Sequence, residues 1–161
     1  MVVNQKMQKL LDKLEEKTRG EKIEIELNSL DKLFFPEFKK VYDCIIISSK
    51  KVEELEARFE QSLEFLGGKN FYEISRTEIQ INSYLQTQNY TLYTVLKLTM
   101  LTIEIWKNQL KLLEPKGQFC FIISCDANRV TLRFHKVREG QPEWLNNDLE
   151  LYDQPIGYLV C

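Results

Sequence analysis

The residues of this chain best suited to chemistry are one histidine, His135, and the cysteines Cys44, Cys120, Cys125 and Cys161. A structural zinc site usually draws paired ligands that are two to four residues apart. Cys120 and Cys125 are five apart on a predicted strand, where their side chains point to opposite faces. We therefore expect no metal and no cofactor, and four reduced cysteines that act as small buried apolar residues.

Nucleophilic catalysis needs a thiolate or alkoxide beside a base, and His135 is the only imidazole available. Along a strand, Val130, Leu132 and Phe134 would face one way, and Thr131, Arg133 and His135 the other. This alternation predicts a solvent-exposed histidine beside arginine, whose charge favours the neutral imidazole. Since neither a nucleophile elbow nor a glycine-rich phosphate loop is found, we expect a protein that is not an enzyme. The alternative is a small cytosolic enzyme that uses His135 with a nearby carboxylate.

Charged residues are concentrated in three segments. Residues 53–64 hold five glutamates and one arginine, and residues 143–161 hold four acids and no base. Such local acidic surface, on a chain of formal charge -2, suits a basic protein partner. The basic residues of 129–138 do not predict nucleic-acid binding, because the neighbouring phenylalanines alternate onto the core face and leave no stacking platform.

The sequence also bears on membrane insertion and export. The N-terminal "MVVNQKMQKLLDKLEEK" is too charged to supply the apolar core of a signal peptide. The longest apolar stretch, at 90–113, is interrupted by Lys97, Glu104 and Lys107, whereas a bilayer span needs about 20 mostly apolar residues. We therefore expect a buried helix, no membrane partner and a cytoplasmic protein.

Hydrophobic periodicity predicts the elements that position these residues. Helices are predicted at 4–18, 50–68 and 91–114, strands at 22–28, 77–84 and 155–161, and a β-hairpin at 118–137 that turns at 126–129. Residues 29–40 are predicted as a short helix or turn broken near Pro36, 41–49 as a strand or helix, and 142–153 as a loop or short helix. This order predicts one α+β domain over residues 1–161, with a mostly antiparallel sheet and a C-terminal β-hairpin packed on about three helices.

The C-terminal third resembles a known class of proteins. Its segments "RFHKVREG", "EWL", "DLE" and "PIGY" resemble the C-terminal part of small bacterial immunity proteins, which are encoded beside polymorphic or contact-dependent growth-inhibition toxins. The resemblance implies a non-catalytic protein that binds one toxin domain, often over its active site, and so protects the producing cell. It also implies that charged and aromatic residues of the hairpin and the following loop form the contact surface.

The predicted partner-binding surface lies in the last 30 residues. It consists of Arg133, His135, Glu143, Trp144, Asp148, Glu150 and Tyr152. Tryptophan and arginine are enriched at binding hot spots, and the acids would provide steering and register. The alternative for Trp144 is that it caps the sheet edge together with Leu145. The oligomeric state is not predicted.

Overall fold

The computed structural model describes residues 1–21, 25–85 and 90–161, and it has an α+β fold, as predicted. Its helices are α1 (Gln5–Leu11), α2 (Leu14–Thr18), α3 (Leu27–Phe34), α4 (Val52–Glu56), α5 (Phe59–Leu66), α6 (Lys69–Thr77) and α7 (Leu92–Leu113). Its strands are β1 (Val2–Val3), β2 (Phe38–Val41), β3 (Cys44–Ile47), β4 (Ile79–Gln80), β5 (Phe119–Asp126), β6 (Arg129–Lys136) and β7 (Ile156–Val160). Single 3-10 turns lie at Ile81–Tyr84 and Leu149–Leu151.

A five-stranded antiparallel sheet forms the centre of the fold, in the order β1-β7-β5-β6-β4. The predicted hairpin is confirmed: β5 and β6 pair along their full length, from Phe119 opposite Lys136 to Asp126 opposite Arg129. Ala127 takes a left-handed conformation, with φ of 50°, in the turn between Asp126 and Arg129. The predicted last strand, β7, pairs with β5 on the other side, which makes the hairpin the middle of the sheet.

The main core lies between α7 and one face of this sheet, which we call the inner face. Val130, Leu132 and Phe134 are fully buried there, as the alternation along β6 predicts. Trp106 of α7 packs among them, and its indole N–H donates to the backbone oxygen of Leu33 at 2.9 Å. Some large apolar side chains of α7, such as that of Leu112, are exposed to solvent, so less of this helix is buried than its sequence predicts.

Several predicted elements are divided differently in the structure. The helix predicted at 4–18 is broken between α1 and α2, and the helix predicted at 50–68 is broken between α4 and α5. The five glutamates of 53–64 consequently lie on two short helices. In segment 41–49, residues Cys44–Ile47 form strand β3, which follows a turn where Tyr42 has φ of 51°.

Two strand predictions are largely wrong. Residues 22–24 of the strand predicted at 22–28 lie outside the described residues, but Leu27 begins helix α3. The strand predicted at 77–84 shrinks to the two residues of β4, because α6 extends to Thr77 and a 3-10 turn begins at Ile81. Within the described ranges, no helix is both long enough and apolar enough to cross a bilayer.

Candidate binding site on the outer face of the sheet

The face of the sheet opposite α7, which we call the outer face, carries a second, smaller core. Cys120 and Ile122 of β5 are buried there beside Ile74 of α6. The side chains of Trp144, Leu145 and Tyr158 pack against them. This face is therefore covered by one helix and by the segment that follows β6, instead of facing solvent.

His135 is buried on this outer face, with 8% of its surface exposed, so the prediction of a solvent-exposed histidine is wrong. The alternation itself is correct, since Thr131 and Arg133 share its face and remain partly exposed. Helix α6 packs against β6, and residues of the segment after β6 lie beside the histidine. The strand pattern gives the direction of a side chain but not what covers it.

The imidazole of His135 is held in one tautomer. Its Nδ1 lies 3.1 Å from the backbone oxygen of Lys136, and because a carbonyl oxygen only accepts, Nδ1 carries the proton. Burial lowers the pKa of His135 and outweighs the hydrogen bond to the Lys136 backbone and the charge of Glu73, which raise it; the charge of Arg138 lowers the pKa further, and that of Glu143 raises it. The ring is thus neutral at neutral pH, as predicted, although burial is the largest cause and Arg133 is not among the causes. Nε2 is left as an acceptor.

A cavity of about 140 Å³ lies in front of this histidine. Its lining includes Cys120, Ile122, His135, Trp144, Leu145 and Tyr158. Polar side chains, among them Gln141, Glu143 and Asn147, also line it, and the exposure of the latter two opens it to solvent. The arrangement can hold a small group by apolar contact and hydrogen-bond it at the imidazole.

One wall of the cavity is fixed by a stacked pair. The guanidinium carbon of Arg133 lies 4.9 Å from the ring centre of Trp144. The Nε–H of Arg133 also donates to Glu78 Oε2 at 2.8 Å, which holds the guanidinium in place. A cation–π contact at an exposed site contributes about 0.5–1 kcal/mol. Trp144 therefore covers the outer face of the middle strand β5, instead of capping the sheet edge as the alternative interpretation supposed, and it is also a wall of the open cavity.

The remaining predicted residues lie apart from the cavity. Asp148 accepts from the backbone N–H of Glu150, and Glu150 accepts from the backbone N–H of Gln5 at 2.7 Å. The Tyr152 hydroxyl accepts from the backbone N–H of Asn146 at 2.9 Å. The structure thus brings His135, Glu143 and Trp144 together at the cavity, while Arg133 does not line it and only stacks against Trp144. Asp148, Glu150 and Tyr152 instead shape the C-terminal segment and fasten it to α1.

Comparison with known proteins gives a family for this fold and site. The model of the Uncharacterized protein PM0498 family matches residues 2–160. The chain belongs to this family. No curated protein and no solved structure matches the chain. All the residues of the cavity lie within the part that the PM0498 family model covers.

Behind the cavity, this PM0498-family chain has a buried ionic network that sequence reasoning missed. Glu73 of α6 is fully buried, and its carboxylate accepts from the backbone N–H of Ile45 at 2.7 Å and of Lys136 at 2.8 Å. Arg138 donates to both oxygens of the same carboxylate, at 2.7 and 3.0 Å. Its Nε–H also reaches Asp43 at 2.8 Å. The network joins α6, β3 and β6, and so fixes the start of the segment that walls the cavity.

The charge of Asp43 depends on the same network. Partial burial raises its pKa, but hydrogen bonds from Lys136 and Arg138, together with their positive charges, lower the pKa well below its ordinary value. Asp43 therefore stays ionised throughout the neutral range. The stability that it contributes is present above its unfolded pKa and is lost only as the pH falls through its folded pKa.

The thiol nearest the imidazole is a poor nucleophile. Cys120 lies directly opposite His135 in the β5–β6 ladder, a position that could suit a cysteine–histidine pair. Burial raises the pKa of Cys120 to about 12, and the negative charge of Glu143 adds to this effect. The thiolate, which is the reactive form, is therefore scarce at neutral pH. Within the described part of the chain, no group of three or more His, Cys, Asp or Glu side chains could hold a metal ion.

We expect one fast-reacting thiol in the folded protein. Cys44, Cys120 and Cys125 are buried, and burial raises the pKa of each to about 12, whereas Cys161 is partly exposed, although burial raises its pKa as well. A chromogenic disulfide reagent should modify Cys161 first, and the other thiols only as the protein unfolds. The number of thiols that react with and without urea measures this. Rapid modification of Cys120 in the folded state would instead indicate an activated thiol beside His135.

Proposed function

We propose that this protein is a non-catalytic binding module that recognises a partner protein through the cavity and its rim. The observation that carries the proposal is the cavity itself: it has the size of one side chain, apolar walls, a polar rim and a neutral imidazole. Binding energy at protein interfaces is concentrated where an anchoring side chain enters such a well-packed pocket. The fixed pair of Arg133 and Trp144 provides a wall that does not need to be ordered on binding.

The charge around the cavity favours a basic partner. Glu143 is exposed at the rim, and the one cationic side chain that lines the cavity among the described residues, that of Arg138, is already paired with Asp43 and Glu73. Complementary charge accelerates encounter and selects the orientation of docking. Together with the resemblance of the C-terminal third to immunity proteins, this favours a toxin domain with a basic surface, bound in the bacterial cytoplasm.

Binding is better supported here than catalysis by His135. A general base is commonly oriented by a carboxylate at its second nitrogen, but Nδ1 of His135 donates to the backbone oxygen of Lys136. The adjacent thiol of Cys120 is held protonated by its raised pKa. Such an imidazole can accept a hydrogen bond from a ligand, and it has neither a nucleophile to activate nor a carboxylate partner among the described residues.

The decisive variant is Trp144→Ala. We expect it to weaken binding to the product of the neighbouring toxin gene by more than about 2 kcal/mol, because it removes the aromatic wall of the cavity. Titration calorimetry measures the affinity, and the Tm, measured separately, shows whether the variant is folded. Leu112→Ala is the matched control: this side chain is large, apolar and 84% exposed, but it lies on α7, behind the opposite face of the sheet.

Two results would overturn the proposal. The first is an equal loss of affinity in Trp144→Ala and Leu112→Ala. The second is a loss of affinity in Trp144→Ala that follows its loss of stability across a temperature series, which would make the cavity wall a scaffold. In the PM0498-family fold, the glutamates of α4 and α5 would then be the next surface to test.

A further inference from the structure

The cavity presents a hydrogen-bond acceptor that the protein itself leaves unused. Nδ1 of His135 is satisfied by the backbone oxygen of Lys136, and Nε2 has no partner in the described part of the chain. Nε2 is also accessible. Among the described residues, every side-chain nitrogen or oxygen that is fully buried has a hydrogen-bond partner, and Nε2 has none, so it is not fully buried. A ligand that enters the cavity can therefore gain a hydrogen bond to this nitrogen only if it brings a donor.

Two polar side chains that line the cavity, those of Arg138 and Asn70, are already occupied, whereas those of Gln141, Glu143 and Asn147 remain available to a ligand at its rim. Arg138 donates to Asp43 and Glu73, and Asn70 accepts from Arg138 and donates to the backbone oxygen of Pro142. The apolar lining comes from Ile122, Trp144, Leu145 and other residues. The site therefore suits a mostly apolar group with one hydroxyl or N–H, and it lacks a free cation that would bind a carboxylate or phosphate.

The size of the cavity suits a single ring. A protein cavity of roughly 150 Å³ lined by aliphatic and aromatic residues accepts benzene, and this cavity measures about 140 Å³. An indole is larger than one six-membered ring, and a phenylalanine ring has the right size but no donor. Among protein side chains, the phenol of tyrosine has both the size and the O–H donor.

We propose that the cavity receives the phenol ring of a tyrosine on the partner protein, with the ring beside Ile122 and Trp144 and the hydroxyl donating to Nε2 of His135. The inference rests on the proposed function, which it deepens by naming the anchoring side chain. The acidic rim at Glu143 then lies where the chain of the partner emerges, and it favours basic residues flanking the tyrosine.

The first experiment uses the free protein and three small probes. p-Cresol is the tyrosine side chain without its backbone; 4-methylanisole blocks the hydroxyl with a methyl group, and toluene lacks it. NMR titration should give p-cresol an affinity about tenfold higher than either control, the effect of one hydrogen bond. Nuclear Overhauser contacts should join its ring protons to methyl groups of Ile122 and Leu145. Equal affinities, or contacts elsewhere on the protein, would overturn the proposal.

A variant tests the acceptor directly. His135→Phe keeps a ring at this position and removes Nε2, so the preference for p-cresol over 4-methylanisole should disappear. His135→Gln is the second variant should the first not fold, because its amide oxygen can restore an acceptor and retain part of the preference. A full preference for p-cresol in a folded His135→Phe protein would show that the hydroxyl binds elsewhere.

The last arm separates this inference from the proposed function. In the complex with the neighbouring gene product, p-cresol should compete with the partner, and one Tyr→Phe change in the partner should lower affinity about tenfold. If the partner binds but neither effect occurs, the tyrosine anchor is wrong and the protein-binding function stands. If p-cresol binds as expected and the neighbouring gene product does not, the toxin partner is wrong. The phenol pocket then stands, but the neighbouring gene product is not the protein that supplies the tyrosine.

Discussion

Phe134→Asp is expected to leave the protein unfolded at room temperature without denaturant. Phe134 is fully buried, and its ring centre lies within 5.7–6.0 Å of the rings of Phe38, Trp106, Phe119 and Phe121. Truncating a buried phenylalanine costs about 3–5 kcal/mol. The aspartate adds the cost of burying an unpaired carboxylate. The sum approaches the whole stability of a typical domain, about 5–15 kcal/mol.

Thr131→Asp is the matched control on the same strand. Thr131 lies on the outer face of β6 and is partly exposed, so the same aspartate should change the free energy of unfolding by less than about 1 kcal/mol. Circular dichroism during urea unfolding measures both variants, and Phe134→Leu gives a folded intermediate case. Similar losses in Thr131→Asp and Phe134→Asp would contradict the arrangement of inner and outer faces on which the site depends.

The hairpin on which this prediction depends could be predicted from the sequence, because its signals are local. Two β-rich runs flank a four-residue turn, and the alternation from Val130 to His135 assigns each side chain to a face. The long helix α7 was predictable for the same reason, since its hydrophobic periodicity lies within one segment. Both are interactions between residues that are close in the chain.

The burial of His135 was not readable, because it depends on distant residues. The outer face of β6 is covered by α6 and by the segment after β6, and nothing in the strand itself indicates this. Most of helix α6 was not predicted, because its buried stripe includes the polar residues Asn70, Glu73 and Thr77. A pattern search that counts only apolar residues as buried breaks this stripe at every polar position.

The candidate site, too, was predictable only where its signals are local in the sequence. Trp144 was readable as a hot-spot type of residue near the hairpin, and the structure places it at the cavity. Glu150 and Tyr152 looked like free surface, because their partners, Gln5 and a backbone N–H in a loop, follow from the folded path of the chain. Polar side chains that stabilise loops and those that bind partners have the same composition.

Glu73→Gln is expected to lower the free energy of unfolding by about 3–5 kcal/mol, the cost of breaking a buried ion pair by removing one charge. Oε1 of Glu73 accepts from Ile45 N–H and Arg138, and Oε2 accepts from Lys136 N–H and Arg138. In either orientation of the glutamine amide, its NH₂ group therefore faces two hydrogen-bond donors, which lose their acceptor. Glu104→Gln is the matched control: Glu104 is also on a helix beside a cation, Lys107, but it is exposed, and such pairs contribute about 0–1 kcal/mol.

A double variant, Glu73→Leu with Arg138→Leu, distinguishes a simple ion pair from the role that we assign to Glu73. Replacing both partners of a buried ion pair by apolar residues is often neutral or stabilising. Here the N–H groups of Ile45 and Lys136 also lose their acceptor, and each unsatisfied buried donor costs about 1–3 kcal/mol. The double variant should therefore remain at least about 2 kcal/mol less stable than the original protein in urea unfolding. Recovery of full stability would mean that Glu73 only neutralises Arg138, and that it does not join β3 to β6 beneath the cavity.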